Sequence, residues 1–231
     1  MRILAFDAST EICAVALGDG VRWVERSERA GQRHSELLLP MIRALLSEAA
    51  LTLADLDGIA FGAGPGSFTG LRIACGVAQG LALGADLPVV GVATLEAMAE
   101  AARTSHDWTR VVAALDARMQ EVYLAAYEYD GERWRVHVEP CVVKPDAAPL
   151  PVGRWSGAGN GFRAYPVLRE RFAGVLSACD EIVLPTAVAI GNLALPRFAA
   201  GEGVAARDAA PLYVRHRVAL TTAERDAGLR L

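Results

Sequence analysis

The residues best suited to chemistry fall in two short runs. Asp7-Ala8-Ser9-Thr10 follows an apolar stretch at the N-terminus. A carboxylate and two hydroxyls at the end of a strand can hold a metal-bound phosphate. They can equally make turn hydrogen bonds, with Asp7 and Ser9 folding back on the backbone, and the residue types leave both readings open. The second run, from Gly62 to Gly70, reads GAGPGSFTG. Glycines let a backbone approach a ligand, and free N–H groups at a helix start can receive an anion. No Lys-Ser/Thr pair follows the last glycine and Arg72 is the nearest cation, so this is not the phosphate loop of P-loop kinases. The alternative is a tight strand-to-helix turn. Gly64 and Gly66, together with Asp7, Ser9 and Thr10, form a candidate nucleotide site.

Elsewhere catalytic groups are sparse. His34, His106, His137 and His216 lie far apart, and neither H-E-x-x-H nor G-x-S-x-G occurs. His34, placed just before a helix, reads as a cap or a surface group. Asp116-Ala117-Arg118 at a strand end can hold a ligand or simply pair. No nucleophile, base and orienting group come together, so no catalytic residue is assigned. Cys13, Cys75, Cys141 and Cys179 stand alone, without a C-x-x-C pair or a Cys/His cluster, and no metal site is assigned.

The elements that must position these residues form two similar halves. Strands are expected at 3–6, 12–17 and 21–24, with Asp19-Gly20 turning a hairpin between the last two. A helix at 35–50 contains Pro40, which is tolerated near a first turn or at a kink. A strand at 57–62, a helix at 67–84, a strand at 88–93 and a helix capped by Thr94 and running to Arg103 follow. The order then restarts: a strand at 110–116, again ending in Asp, and a hairpin of 122–129 and 134–142 around Asp130-Gly131. Residues 144–161 read as loop, 165–172 as helix, 182–184 as strand and 186–200 as helix. An apolar-aromatic stretch at 211–220 precedes a polar end. The reading is therefore α/β with two lobes, 1–104 and 105–231, the tail packing back on the first.

The chain has 231 residues, 53% of them hydrophobic, with a formal net charge of -4. It can bury a sizeable core, which excludes disorder, and it has no global basic field to hold a phosphate backbone. Any role on nucleic acid has to come through a local patch or a partner. MRILAFDAST opens as a strand rather than a charged leader, and the apolar stretch at 73–85 carries Gln79 and three glycines. That stretch is short for a bilayer, so a cytoplasmic chain with free thiols and no membrane contact is expected.

Two helices carry more than a core requires. Leu37, Leu38, Leu39, Met41, Ile42, Leu45 and Leu46 spread over about half of the first helix, whereas an apolar stripe of roughly 100° serves a one-sided core. The excess calls for a second buried surface. On the helix at 67–84, Gly76, Gly80 and Gly84 share one stripe, beside Ala74, Ala78 and Ala82. Glycine inside a helix costs about 1 kcal/mol relative to alanine. Three on one stripe imply close approach of another backbone, either the chain's own sheet, the preferred reading, or a partner helix.

ILAFDAST, RHSELLLPMI, GAGPGSFTGLRIACGVAQGLA and DARMQEVYLA closely resemble the TsaB (YeaZ) family of bacterial tRNA threonylcarbamoyladenosine biosynthesis. The likeness is dense over the first 127 residues and continues through layout and Pro211 to Arg215. It implies an actin/Hsp70/sugar-kinase-like, ribonuclease H-like fold of two α/β lobes. It implies a non-catalytic scaffold and dimerisation subunit, not an enzyme, that supports a TsaD-like catalytic paralog acting on the adenosine next to the anticodon. A TsaE-like ATPase would join, tRNA would be reached through the complex, and the chain alone would form a homodimer. No cofactor is implied beyond weak nucleotide binding, confined to the complex if present. In the paralog, an H-x-E-x-H metal pair follows the strand after the glycine-loop helix. Here the matching positions hold Thr94 and Met98, poor ligands for a hard or borderline dication.

The resemblance also assigns a partner face packed as a four-helix bundle. His34, Leu37, Leu38, Met41, Ile42 and Leu45 come from the first helix. Phe68, Leu71, Arg72, Cys75, Gly76, Gln79 and Gly80 come from the second. Met41→Asp or Leu45→Asp is expected to abolish partner binding in a folded monomer. The competing class is an active ATP-dependent small-molecule kinase of the same fold, with Asp7, Ser9 and Thr10 around a metal-bound nucleotide; a short second half and the lack of a base argue against it.

Overall fold

The computed structural model describes residues 1–215. The first sheet holds β1 (Ile3–Asp7), β2 (Ile12–Gly18), β3 (Trp23–Arg29), β4 (Gly58–Gly64) and β5 (Val89–Ala93), in the order β3-β2-β1-β4-β5. β2 runs antiparallel to β1 and β3, while β4 is parallel to β1 and β5 to β4. The second sheet holds β6 (Arg110–Asp116), β7 (Val122–Tyr129), β8 (Trp134–Val143), β9 (Trp155–Ala158) and β10 (Leu176–Asp180). Its order, β8-β7-β6-β9-β10, repeats the first sheet element for element. The helices are α1 (His34–Glu48), α2 (Phe68–Ala85), α3 (Thr94–His106), α4 (Gly161–Ala164), α5 (Pro166–Arg171) and α6 (Ala187–Ala199).

β1 and β4 are buried along their whole length because helices cover both faces of the sheet. Alternate residues divide between two cores. Leu4 and Phe6 pack with Leu38, Ile42 and Leu45 of α1 and with Ala74, Ala78 and Ala82 of α2. Ile3 and Ala5 face Ile190, Ala194 and Phe198 of α6 and Ala97 and Ala101 of α3. α3 also lends Leu95, Met98 and Ala102 to the second sheet, against Val111, Ala113 and Leu115. α6, from the second half, thus packs on the first sheet. Trp23 Nε1 donates to Asn192 Oδ1 at 2.9 Å and Val188 N to Glu25 Oε1 at 3.1 Å, fixing α6 to β3. The buried Glu100 carboxylate accepts from Arg103 and from Trp134 Nε1, joining α3 to β8.

Several elements depart from expectation. β3 lies at Trp23–Arg29, not 21–24, and is almost wholly exposed. An edge strand needs only its backbone ladder, so it carries charge instead of an apolar alternation. The segment 182–184 forms no strand; the final strand is Leu176–Asp180, beside the four-residue β9 inside the stretch read as loop. Pro40 sits beyond the first turn of α1. Thr94 is the first helical residue of α3 rather than its cap, and its buried Oγ1 has no partner among the described residues. Of the apolar-aromatic stretch at 211–220, residues 216–220 lie outside the described residues, as does His216.

Candidate functional site

A cleft of about 580 Å³ opens between the two sheets. Its lining includes Ser9, Thr10 and Glu11 after β1, Pro65 to Phe68 at the start of α2, Asp116 to Arg118 after β6, Asn160, and Leu212 to Arg215. Of the five candidate nucleotide residues, Ser9, Thr10 and Gly66 line it and Asp7 and Gly64 do not. Asp7 is 1% exposed. Its Oδ2 accepts from Ser9 N at 3.1 Å and Ser9 Oγ at 2.9 Å, and its Oδ1 is buried, with no partner among the described residues, against Gly62, where any Cβ would overlap it. Burial pushes the Asp7 carboxyl up to about 7, against the opposing pull of the Ser9 hydrogen bonds. This is the turn-forming arrangement, and it sets Asp7 behind Ser9 rather than in the cleft lining.

The glycine run serves the same junction. A Cβ on Gly66 would collide with Ser9, and one on Gly70 with the Ala8 carbonyl oxygen. Ser67 N donates to Ser9 O at 2.7 Å, and Ser67 Oγ caps α2 by accepting from Gly70 N at 3.3 Å. Gly64, at φ +120°, faces Leu212 O. The glycines therefore bring three backbones together, which is the strand-to-helix turn of the two readings.

Across the cleft, the turn after β6 is strained. Arg118, Met119 and Gln120 are three consecutive non-glycine residues in the left-handed region, at φ 60°, 53° and 59°. Such a conformation costs about 1–2 kcal/mol per residue. Asp116 holds the start of the turn, its Oδ1 accepting from Arg118 N at 2.8 Å and from Tyr165 Oη at 2.7 Å. Burial and that bond to Asp116 push the Tyr165 hydroxyl up to about 12, so it remains a donor. Asn160 Oδ1 accepts from Asp116 N at 2.9 Å. Asp116 and Arg118 pair at 3.2 Å. Sequence reasoning missed Asn160, Tyr165, Tyr213 and Arg215; the DARMQ run and the Pro211–Arg215 stretch were the signals available.

The outer face formed by α1 and α2 differs from expectation in two ways. Leu38, Ile42 and Leu45 are at most 2% exposed and belong to the chain's own core. His34 is also buried, its Nε2 without a partner among the described residues, rather than a surface group. Leu71 and Cys75 are buried, and the Gln79 amide donates to Ala209 O at 2.9 Å, a bond within the chain. These seven are thereby removed from the directly exposed partner face. Leu37 and Met41 remain half-buried, and Leu39, Phe68, Arg72, Gly76 and Gly80 exposed. Conversely, a Cβ on Gly76, Gly80 or Gly84 would meet nothing within 4 Å. The preferred intramolecular account of that stripe fails among the described residues. By length and composition α2 could cross a bilayer, but a third of it is buried inside the protein. Thr94 and Met98 are both fully buried, and among the described residues no group of three or more His, Cys, Asp or Glu is placed to hold a metal ion.

Two sheets of identical strand order, facing each other across a cleft and exchanging helices, define the actin/Hsp70/sugar-kinase class of folds. Residues 27–189 match the family model described as "TsaD: tRNA N6-adenosine threonylcarbamoyltransferase". The chain is 41% identical to the tRNA threonylcarbamoyladenosine biosynthesis protein TsaB of Escherichia coli over 225 residues, covering 95% of this chain and 96% of that protein. Identity to the protein of the same name from Haemophilus influenzae is 38%, covering 94% and 95%. The solved structure of YeaZ from Pseudomonas aeruginosa superposes with a TM-score of 0.85 at 41% identity, covering 92% of this chain and 99% of that one. The chain belongs to the TsaB family, within the broader group that the matching family model describes.

Proposed function

We propose that this chain acts in the biosynthesis of tRNA threonylcarbamoyladenosine as a non-catalytic subunit that holds a TsaD-like paralog. The observation that carries the reading is the glycine stripe on α2: three helix-weakening residues on one exposed stripe, with no neighbour inside the described chain. Small residues on a helix face allow another helix to cross closely, and Leu37, Leu39 and Met41 of α1 supply apolar area beside it. Met98 and Thr94, where the paralog is expected to carry imidazoles, are buried and make poor dication ligands. The kinase alternative is weakened by the burial of Asp7 away from the cleft. On this reading the chain needs no cofactor of its own and any nucleotide binding is weak and confined to the complex. A TsaE-like ATPase joins the assembly, tRNA is reached through it, the chain alone pairs with a second copy, and the assembly is cytoplasmic.

Gly80→Leu tests this directly. The position is open among the described residues, so the variant should fold and gain about 0.5–1 kcal/mol of stability from helix propensity. Its affinity for the TsaD-like partner, measured by calorimetry, should fall by about 100-fold or more, a loss of about 3 kcal/mol. Binding at wild-type strength would reject the face. Met41→Asp should also weaken partner binding, with some loss of stability because Met41 is half-buried against the core, whereas Leu45→Asp is unsuitable because Leu45 is 1% exposed and its replacement would unfold the core.

A further inference from the structure

Phe68, Arg72, Gly76, Gly80 and Gly84 follow one another at four-residue spacing and are all exposed, forming a single ridge of α2. The N-terminal end of that ridge is occupied. The Tyr213 ring lies 5.8 Å from that of Phe68, the Arg72 guanidinium sits 3.9 Å over Phe68, and Arg72 Nε donates to the Tyr213 hydroxyl at 3.3 Å. Tyr213 belongs to a segment attached on both sides. Ala209 O accepts from Gln79, and Leu212 N donates to Ala63 O at 2.7 Å, which fixes the segment to the first lobe. Two residues beyond Tyr213, Arg215 reaches the second lobe. It donates to Ala117 O at 3.1 Å and to Glu121 Oε2 at 2.6 Å, and its Nη1 lies 3.5 Å from Met119 Sδ. Arg215 therefore grips the left-handed turn at Ala117 and Glu121, on either side of the strained residues, and at Met119 among them. The Arg215 side chain is 13% exposed, and among the described residues its Nε has no partner.

We propose that residues 209–215 are a relay: covering the α2 ridge acts on Tyr213, and through Arg215 sets how firmly the left-handed turn at the cleft is held. The physical link is short. A chain rising about 3.3–3.6 Å per residue leaves little slack between Tyr213 and Arg215, so a displacement of one is felt by the other. A strained turn persists only when its surroundings over-determine it; Asp116 holds the start of this one, and Arg215 adds a second grip from the segment that also forms the end of the ridge. The identity of the covering partner rests on the reading given under Proposed function; the connection between Tyr213 and the turn does not.

Amide hydrogen exchange on the full chain separates the two. In the free protein, Arg215→Ala should speed exchange at the Ala117 and Glu121 amides by about fivefold or more, with β1 amides unchanged as a control for folding. Tyr213→Ala, whose ring does not line up on the turn itself, should speed the same two amides. Exchange at 117–121 unchanged in Tyr213→Ala overturns the relay, whatever the partner does. With the TsaD-like protein added in excess, the wild-type chain should show slowed exchange at 117–121, and Arg215→Ala should bind yet lose that slowing. Slowing that persists in Arg215→Ala also overturns the relay. A wild-type chain that fails to bind the partner overturns the reading of the face instead, and the free-chain comparison still decides the relay.

Discussion

Two sets of glycines on neighbouring stretches of one helix and its approach face opposite surroundings. Those from Gly62 to Gly70 are hemmed in: side chains there would strike Asp7, Leu212, Ser9 or Ala8. Those at Gly76, Gly80 and Gly84 are open. The same residue type thus marks a close contact in one place and open space among the described residues in the other. The first set is part of how the chain folds, and the second meets no neighbour among the described residues and weakens its helix.

The sharpest way to break that comparison is at Gly70. Gly70→Ala forces a Cβ into the Ala8 carbonyl oxygen and should cost about 3 kcal/mol in urea denaturation. A cost near zero would mean the junction has slack. The junction also has a pH signature. Asp7 keeps its proton above the ordinary carboxylate range, so between about pH 4 and 7 the folded chain binds more protons than the unfolded one. Stability should therefore fall as pH rises through that window, at a rate approaching about 1.4 kcal/mol per pH unit, and level off above it. Asp7→Asn should remove this component, leaving a difference from wild type that grows with pH; a difference flat from pH 4 to 8 would show that Asp7 ionises freely in the fold. The smallest effect belongs to the open set. Gly84→Ala should stabilise the chain by about 1 kcal/mol or less, read as a higher midpoint in the same denaturation series. A loss of stability there would show that a neighbour inside the chain does fill the stripe.

Much of the fold was legible. The two Asp-Gly and Asn-free hairpin turns, the apolar runs of β1 and β4 and the long alanine-rich helix are written in local chemistry. β3 was misplaced because an edge strand is specified by its neighbour's backbone and not by its own side chains. β9 escaped because WSGA is too short to show a period, and its strand character comes from pairing with β6 and β10. At the site, the glycine loop was recognisable as special, but residue types could not say whether a phosphate or a carbonyl lay against it.

What the sequence by itself determined is the repeated order of elements, the family resemblance and the presence of an unusual glycine stripe, since all of these depend on composition and spacing along the chain. Which glycines are filled, which leucines of α1 face inward, and that Tyr213 and Arg215 meet α2 and the β6–β7 turn were decided only by the tertiary structure. Those facts join residues distant in the sequence, Gly70 with Ala8, Arg72 with Tyr213 and Glu121 with Arg215, and no local pattern encodes a contact whose two sides are specified independently.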